Sequence, residues 1–259
     1  MKRLLLSMIM VLTLATCLVP VSAAYADDGT NTEVGVWWIG DYPGSDNDLE
    51  YSYQSAQGLK SKLVNYGWTA VYDIGDSSVY EIHFKRAGLG NGDDDSYTDA
   101  VDLAYYVGHA GQVSGIWALV MADTTHDNNT VLYSECQWGD IDLEWMMFDS
   151  CQLLNDTCDN YWAGAMNGLH LICGAVTYMY IYNNGTCVAD LLIDDGWWDW
   201  ARTVKDSWFS GCDYNQPSGR ILRVIGETDT CGDDYIWGQG SVCADPTHDG
   251  YFTFWTYYC

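Results

Sequence analysis

Positive charge is scarce in this sequence. Ten lysines and arginines stand against 36 aspartates and glutamates, giving a formal net charge of −26 over 259 residues. Two of the ten, Lys2 and Arg3, sit at the very start, so the rest of the chain is more acidic still. Such a chain repels nucleic acid and anionic membrane, and the plainest use of its acidic surface is solubility in a salty, extracellular setting where ions screen the repulsion. Beyond residue 26 no apolar run is long enough to cross a bilayer. There is no Gly-x-Ser-x-Gly, which argues against a serine hydrolase of the nucleophile-elbow type. Neither Cys-x-x-Cys nor His-x-x-x-His occurs, and the cysteine spacings match no zinc motif, so no metal is expected. Internal repeats and low-complexity linkers are also absent.

The beginning, "MKRLLLSMIMVLTLATCLVPVSAAYADD", has basic residues, an apolar stretch and Ala24-Tyr25-Ala26, the pattern of a secretory signal peptide over 1–26. Residues 27–259 then form one domain with a cysteine-rich C-terminal part, secreted or held at the cell surface. Nine of the ten cysteines lie in that part: Cys136, Cys151, Cys158, Cys173, Cys187, Cys212, Cys231, Cys243 and Cys259. Exported thiols oxidise in pairs and nine is odd, so the expectation is four disulfides and one free thiol. Sequons at Asn128, Asn155 and Asn184 are compatible with glycosylated surface loops.

"VGVWWIG" at 34–40 reads as a buried strand, "LEYSYQSAQGLKSKLVNYG" as a helix capped by Gly67, and "TAVYDIG" as a second strand. This β-α-β opening favours a parallel sheet. Further strands are expected in "LAYYV", "IWALVMAD", "LEWMMFD", "LHLICGAVTYMYIY", "RILRVIGE" and at the C-terminus. A short helix is expected around "YWAGAMNG" and a long amphipathic segment over 188–211. The fold class is α/β, a three-layer sandwich with a mostly parallel sheet. In such sheets ligands sit beyond the carboxyl ends of the strands.

Two residues occupy that position. His109 follows "LAYYV" in "GHAG", and Cys151 follows "WMMF" in "DSC". If their strands are parallel neighbours, an imidazole and a thiol meet at one sheet edge, as a cysteine nucleophile and its base require. Gly108 and Gly111 permit close backbone approach. Here the sequence resembles the caspase, gingipain and legumain superfamily of cysteine peptidases. Those chains carry a strand ending in His-Gly, then a strand ending in a small or acidic residue, a small residue and Cys. A second resemblance, over most of the chain, is to an uncharacterised group of exported archaeal and bacterial proteins sharing "GHxG", "GLH" and "GQG", here at 108–111, 168–170 and 238–240.

The resemblance implies a caspase-like fold, His109 as general base or acid, Cys151 as nucleophile with its amide in the oxyanion hole, and a peptide or protein substrate without cofactor. Ala110 replaces the glycine usual after the histidine, and its amide serves only if the backbone there avoids positive φ. Asp149 and Ser150 neighbour the nucleophile, Asp149 as a residue shaping the strand end or the pocket. His170 lines the same site or is a satisfied core histidine. Cys158 is the obvious disulfide partner for Cys151 if the cysteine is structural.

His83, His126 and His248 stand in separate polar contexts. The acidic loops around Asp46, Asp48 and Glu50 and around Asp93, Asp94 and Asp95 lack ordered calcium spacing and read as solvated turns. The second function class is a non-catalytic extracellular binding protein using aromatic rings for glycans or a protein partner. Trp197, Trp198 and Trp200 in "GWWDW" are its best candidates, although Trp197 and Trp200 on a helix would share a face and pack inward.

Overall fold

The computed structural model describes residues 32–44, 47–123, 128–196 and 200–259. The expected signal peptide, His126, Asp46, Trp197 and Trp198 lie outside the described residues. In chain order the elements are β1 (Glu33–Trp38), α1 (Ser52–Asn65), β2 (Thr69–Gly75), β3 (Leu103–Val107), β4 (Ala110–Val113), β5 (Ile116–Val120) and β6 (Thr130–Val131). They continue with β7 (Trp145–Asp149), α2 (Asp159–Ala163), β8 (Leu171–Ala175), α3 (Asn184–Leu192), α4 (Val204–Asp213), β9 (Ile221–Gly226) and β10 (Thr253–Tyr258).

Seven strands form one sheet in the order β10-β9-β8-β7-β3-β1-β2. From β8 through β2 every pairing is parallel, while β9 and β10 add an antiparallel edge. The central strands are apolar on both faces because both faces are covered. Leu103, Tyr105 and Val107 of β3 and Trp145 and Met147 of β7 point into a core shared with Leu59, Val188 and Trp208 of α1, α3 and α4. The alternate residues Ala104, Tyr106, Met146 and Phe148 point into a second core. That second layer is built from α2 and a small antiparallel sheet, β4-β5-β6, so the sandwich is mixed rather than helical on both sides.

Helix α1 buries Ser52, Ser55, Ala56, Leu59 and Leu63, one stripe at helical spacing. It ends where Gly67 turns to φ +100°, a conformation costly for a residue with a Cβ. Helices α1 and α3 cross closely: a Cβ on Gly58 would collide with Thr186, and one on Gly185 with the Ser55 carbonyl. On the antiparallel edge Arg223 of β9 is 8% exposed and is neutralised by Asp159 at 2.5 Å and Asp156 at 2.8 Å, which ties α2 to the sheet.

Three sequence expectations change. The amphipathic segment 188–211 is not one helix: α3 begins earlier, at Asn184, and stops at Leu192, and Trp200 stands outside both helices, 84% exposed. Among the described residues one disulfide is present, Cys231–Cys243, where four were expected, and Cys136, Cys151, Cys158, Cys173, Cys187, Cys212 and Cys259 are free thiols. Four of these seven are buried, where cysteine packs as a small apolar side chain. Asn184 is 0% exposed and donates to Asp149, so its sequon cannot present a glycan. No helix among the described residues is long and apolar enough to cross a membrane.

Candidate active site

Strands β3 and β7 are adjacent and parallel, with Val107 opposite Asp149. His109 and Cys151 therefore each stand two residues beyond the last paired position, at the carboxyl edge of the sheet. The backbones still touch there, because Gly108 N donates to Asp149 O at 3.3 Å. A Cβ on Gly108 would meet the hydroxyl of Tyr106 and lie 2.7 Å from that of Tyr42, which explains the glycine. Past His109 the chain runs directly into β4, with Ala110 opposite Leu119. Positive φ among non-glycine residues is confined to Asp76, Ser114 and Gln152 within the described residues, so Ala110 meets the backbone condition. Gly111 approaches Val120, leaving 3.0 Å for a Cβ.

The imidazole and the thiol are near neighbours in topology, and each has partners of its own. The Tyr42 hydroxyl accepts from His109 N at 2.8 Å, and the Tyr42 ring lies 4.6 Å from the imidazole. His109 Nε2 is 2.8 Å from Asn47 O. A carbonyl can only accept, so Nε2 carries a proton and Nδ1 is the basic nitrogen of the neutral ring. The half-buried Cys151 Sγ sits 3.4 Å from both Met179 O and Met179 N. No hydrogen bond joins His109 to Cys151 among the described residues. Burial pushes the Cys151 thiol up, the Met179 hydrogen bond opposes this, the Asp149 charge adds to it, and the Arg220 charge opposes it. The resting thiol is therefore protonated at neutral pH.

Beyond the cysteine the chain turns sharply. Gln152 has φ +57°, and the turn is fastened to the end of β8 by Gln152 N to Thr177 O at 3.0 Å and Leu154 N to Ala175 O at 3.1 Å. The Ser150 hydroxyl is buried without a partner. Asp149 is 0% exposed and accepts from Ser55 Oγ at 3.0 Å, the Tyr105 hydroxyl at 2.9 Å and Asn184 Nδ2 at 3.0 Å. Burial raises its pKa to about 6, against the pull of those three donors. Asp149 thus shapes the strand end by joining α1, β3, β7 and α3, and does not face a pocket. His170 is elsewhere: it precedes β8, which runs parallel to β7, so it lies at the opposite, amino edge of the sheet.

Three features of this edge escape a reading of the sequence. Segment 178–182 carries the exposed residues Tyr178, Tyr180 and Tyr182, with Tyr180 and Tyr182 stacked at 6.2 Å and Tyr51 5.5 Å from Tyr182. Arg220 lies 5.2 Å over the Tyr180 ring. A cleft of about 210 Å³ beyond β1 is lined by Asp41, Asp48, Glu50 and Asp76 together with Trp38 and Tyr53. Two of those carboxylates serve as backbone caps, Asp48 for Tyr42 N and Asp76 for Gly40 N and Asp41 N. In the first acidic loop Asp48 and Glu50 are exposed, as is Asp95 in the other acidic loop, but Asp94 there is 0% exposed and caps Ala87 N, and its burial drives its pKa to about 8.

Together the mostly parallel sheet and the two strand-end residues define a mixed α/β protein with its candidate site at the carboxyl edge. The chain belongs to the family described as "Domain of unknown function (DUF6345)", whose profile matches residues 36–258. No curated protein sequence matches it. Among solved structures, the X-ray structure of an inactive zymogen C11 protease from Parabacteroides distasonis aligns with a TM-score of 0.42 at 10% identity. The alignment covers 76% of this chain and 62% of that one, so the chain spans less than two thirds of that protein.

Proposed function

We propose that this chain is an exported hydrolase that cleaves peptide bonds through Cys151, with His109 as proton carrier. The observation that carries the reading is the parallel pairing of β3 with β7, which sets an imidazole and a thiol just beyond neighbouring strand ends. Catalysis begins when the imidazole turns from the Asn47 carbonyl and takes the thiol proton. The thiolate then bonds to the scissile carbonyl carbon, the C–N bond breaks, and His109 returns its proton to the leaving amine. Water, deprotonated by the same imidazole, attacks the thioester, freeing the carboxylate product and the thiol. The 590 Å³ depression near Trp200 is remote from these residues in its lining and takes no part. Because the cleft at this edge is acidic, the test peptides should carry lysine or arginine.

His109→Gln keeps a hydrogen-bond donor for Asn47 but loses the titratable ring. It is expected to lower kcat/KM for such peptides roughly 10²-fold or more, measured by release of a fluorogenic amine. Unchanged turnover would remove His109 from the mechanism. A second reading, a non-catalytic binding protein, draws on the stacked tyrosines of 178–182. It predicts that Cys151 and His109 variants retain full ligand affinity while Tyr180→Ala and Tyr182→Ala lose it.

A further inference from the structure

The opposite edge of the sheet carries a separate cluster. His170 stands just before β8, and Cys231, Asp234 and Cys243 come from the segment between β9 and β10. His170 and Asp234 are each 1% exposed. His170 Nδ1 lies 2.6 Å from Asp234 Oδ2, and Cys243 Sγ lies 3.6 Å from that nitrogen and 3.7 Å from that oxygen. One ligand atom from each of the four residues falls within 4.8 Å of all the others.

The S···N and S···O separations match edges of a tetrahedron, whereas the His170–Asp234 contact and the bonded sulfurs are shorter than its N···O and S···S edges of about 3.3 and 3.8 Å and must open to admit an ion. With zinc–sulfur bonds of about 2.3 Å and zinc–nitrogen or zinc–oxygen bonds of about 2.0–2.1 Å, the S···N and S···O edges come to about 3.5 Å. Two thiolates, an imidazole and a carboxylate suit zinc better than calcium or magnesium. The surrounding groups fit as well. Asp234 Oδ1 accepts from Cys243 N at 2.7 Å, and Trp145 Nε1 lies 3.4 Å from Asp234 Oδ2. Asp245 sits 3.5 Å from His170 Nε2, a carboxylate behind the ring as metal-bound histidines usually have. No local motif marks the cluster in the sequence, because its residues are drawn from positions 170 to 243.

We infer that Cys231, Cys243, His170 and Asp234 form a redox-gated zinc site. Oxidised, the two sulfurs close the disulfide seen here. A dithiol reductant delivers two electrons and two protons to the S–S bond and becomes a disulfide itself. Zinc then displaces both thiol protons and any proton held between His170 Nδ1 and Asp234, leaving two thiolates, an imidazole and a carboxylate around the ion. In either state the segment 231–243 stays fastened to the amino edge of the sheet.

The test uses the mature chain, reduced with dithiothreitol, freed of reductant without air, and titrated with cobalt(II). The expected result is one equivalent bound, with a thiolate-to-cobalt charge-transfer band and the strong visible bands of a tetrahedral ion, all displaced by zinc. The disulfide form should show neither. Cys243→Ser should leave one thiolate and lose about half of the charge-transfer intensity, Cys231→Ser/Cys243→Ser should lose the band, and His170→Gln should shift the visible bands and weaken binding at least tenfold, with near-ultraviolet circular dichroism reporting the fold of each. Absence of the bands in the reduced protein, or a charge-transfer band undiminished in Cys243→Ser or surviving in Cys231→Ser/Cys243→Ser, would overturn the inference. So would a reduced chain that is unfolded and that zinc does not restore.

Discussion

Replacing Cys151 with alanine is expected to remove peptide hydrolysis, lowering kcat/KM roughly 10⁴-fold or more, because in the proposed mechanism its sulfur forms the acyl intermediate. The fold should survive. Cys151 is half-buried at the margin of the core, and the hydrogen bonds its sulfur gives up are two long ones of 3.4 Å to Met179. The change in unfolding free energy should therefore stay within about 1 kcal/mol. Cys151→Ser separates chemistry from shape: it fills the same space and should be nearly as inactive, since a hydroxyl in this environment lacks the nucleophilicity of a thiolate. Hydrolysis that persists in both variants would transfer the activity to another residue.

Stability is expected to fall as the pH rises from 5 to 9, in contrast to proteins whose carboxylates are held in ion pairs. Burial raises Asp149 to about 6 and both Asp94 and Asp102 to about 8, and lifts Asp99 well above its ordinary value. In the unfolded chain each would titrate near 3.9. A carboxyl group whose folded pKa is the higher one binds its proton more tightly in the folded state. Its full contribution is present below about pH 4 and is lost as the pH climbs through the folded value. For Asp149 alone the difference of about two units corresponds to about 3 kcal/mol. Asp94 and Asp102 lose theirs through a higher window, up to about pH 8. Repulsion within a chain of charge −26 acts in the same direction and is relieved by salt. Thermal unfolding followed by circular dichroism should show Tm dropping across this range. Asp102→Asn, which keeps an oxygen for Glu33 N at 2.5 Å, should flatten the slope. A Tm that rises toward pH 8 would contradict the burial of these groups.

The parts of this molecule visible in its sequence are those governed by local pattern. "LAYYV" and "WMMF" are continuously apolar because each feeds two cores at once, and that pattern placed both strands and the two residues at their ends. The helix from Ser52 to Asn65 was legible in its helical composition and its terminal glycine. Strand β4 was not, since "AGQV" is short and contains a glycine, and its pairing with β5 depends on the turn at Ser114 and Gly115. Helix α3 opens on "NGT", residues that usually signal a turn, yet Asn184 is held by Asp149 and Gly185 is required by the approach of α1. The buried network of Ser55, Tyr105, Asp149 and Asn184 draws on four elements and has no periodic trace. Counting cysteines failed for a similar reason. Parity reports what an oxidising compartment permits, whereas Cys173 and Cys212 are core residues packed like aliphatic side chains.

The most direct test of the proposed mechanism is covalent capture by a lysine-terminated peptidyl acyloxymethyl ketone, read by intact mass and peptide mapping. Iodoacetamide serves as the small, unselective comparison. The resting thiol is raised by burial, so iodoacetamide should label Cys151 slowly at neutral pH and no faster than the half-buried Cys187 and Cys259. The peptidyl reagent should add once, at Cys151, and His109→Gln should suppress that addition. Labelling that leaves Cys151 untouched, or that falls on Cys187 and Cys259 to the same extent with both reagents, would contradict the assignment of Cys151 as the nucleophile.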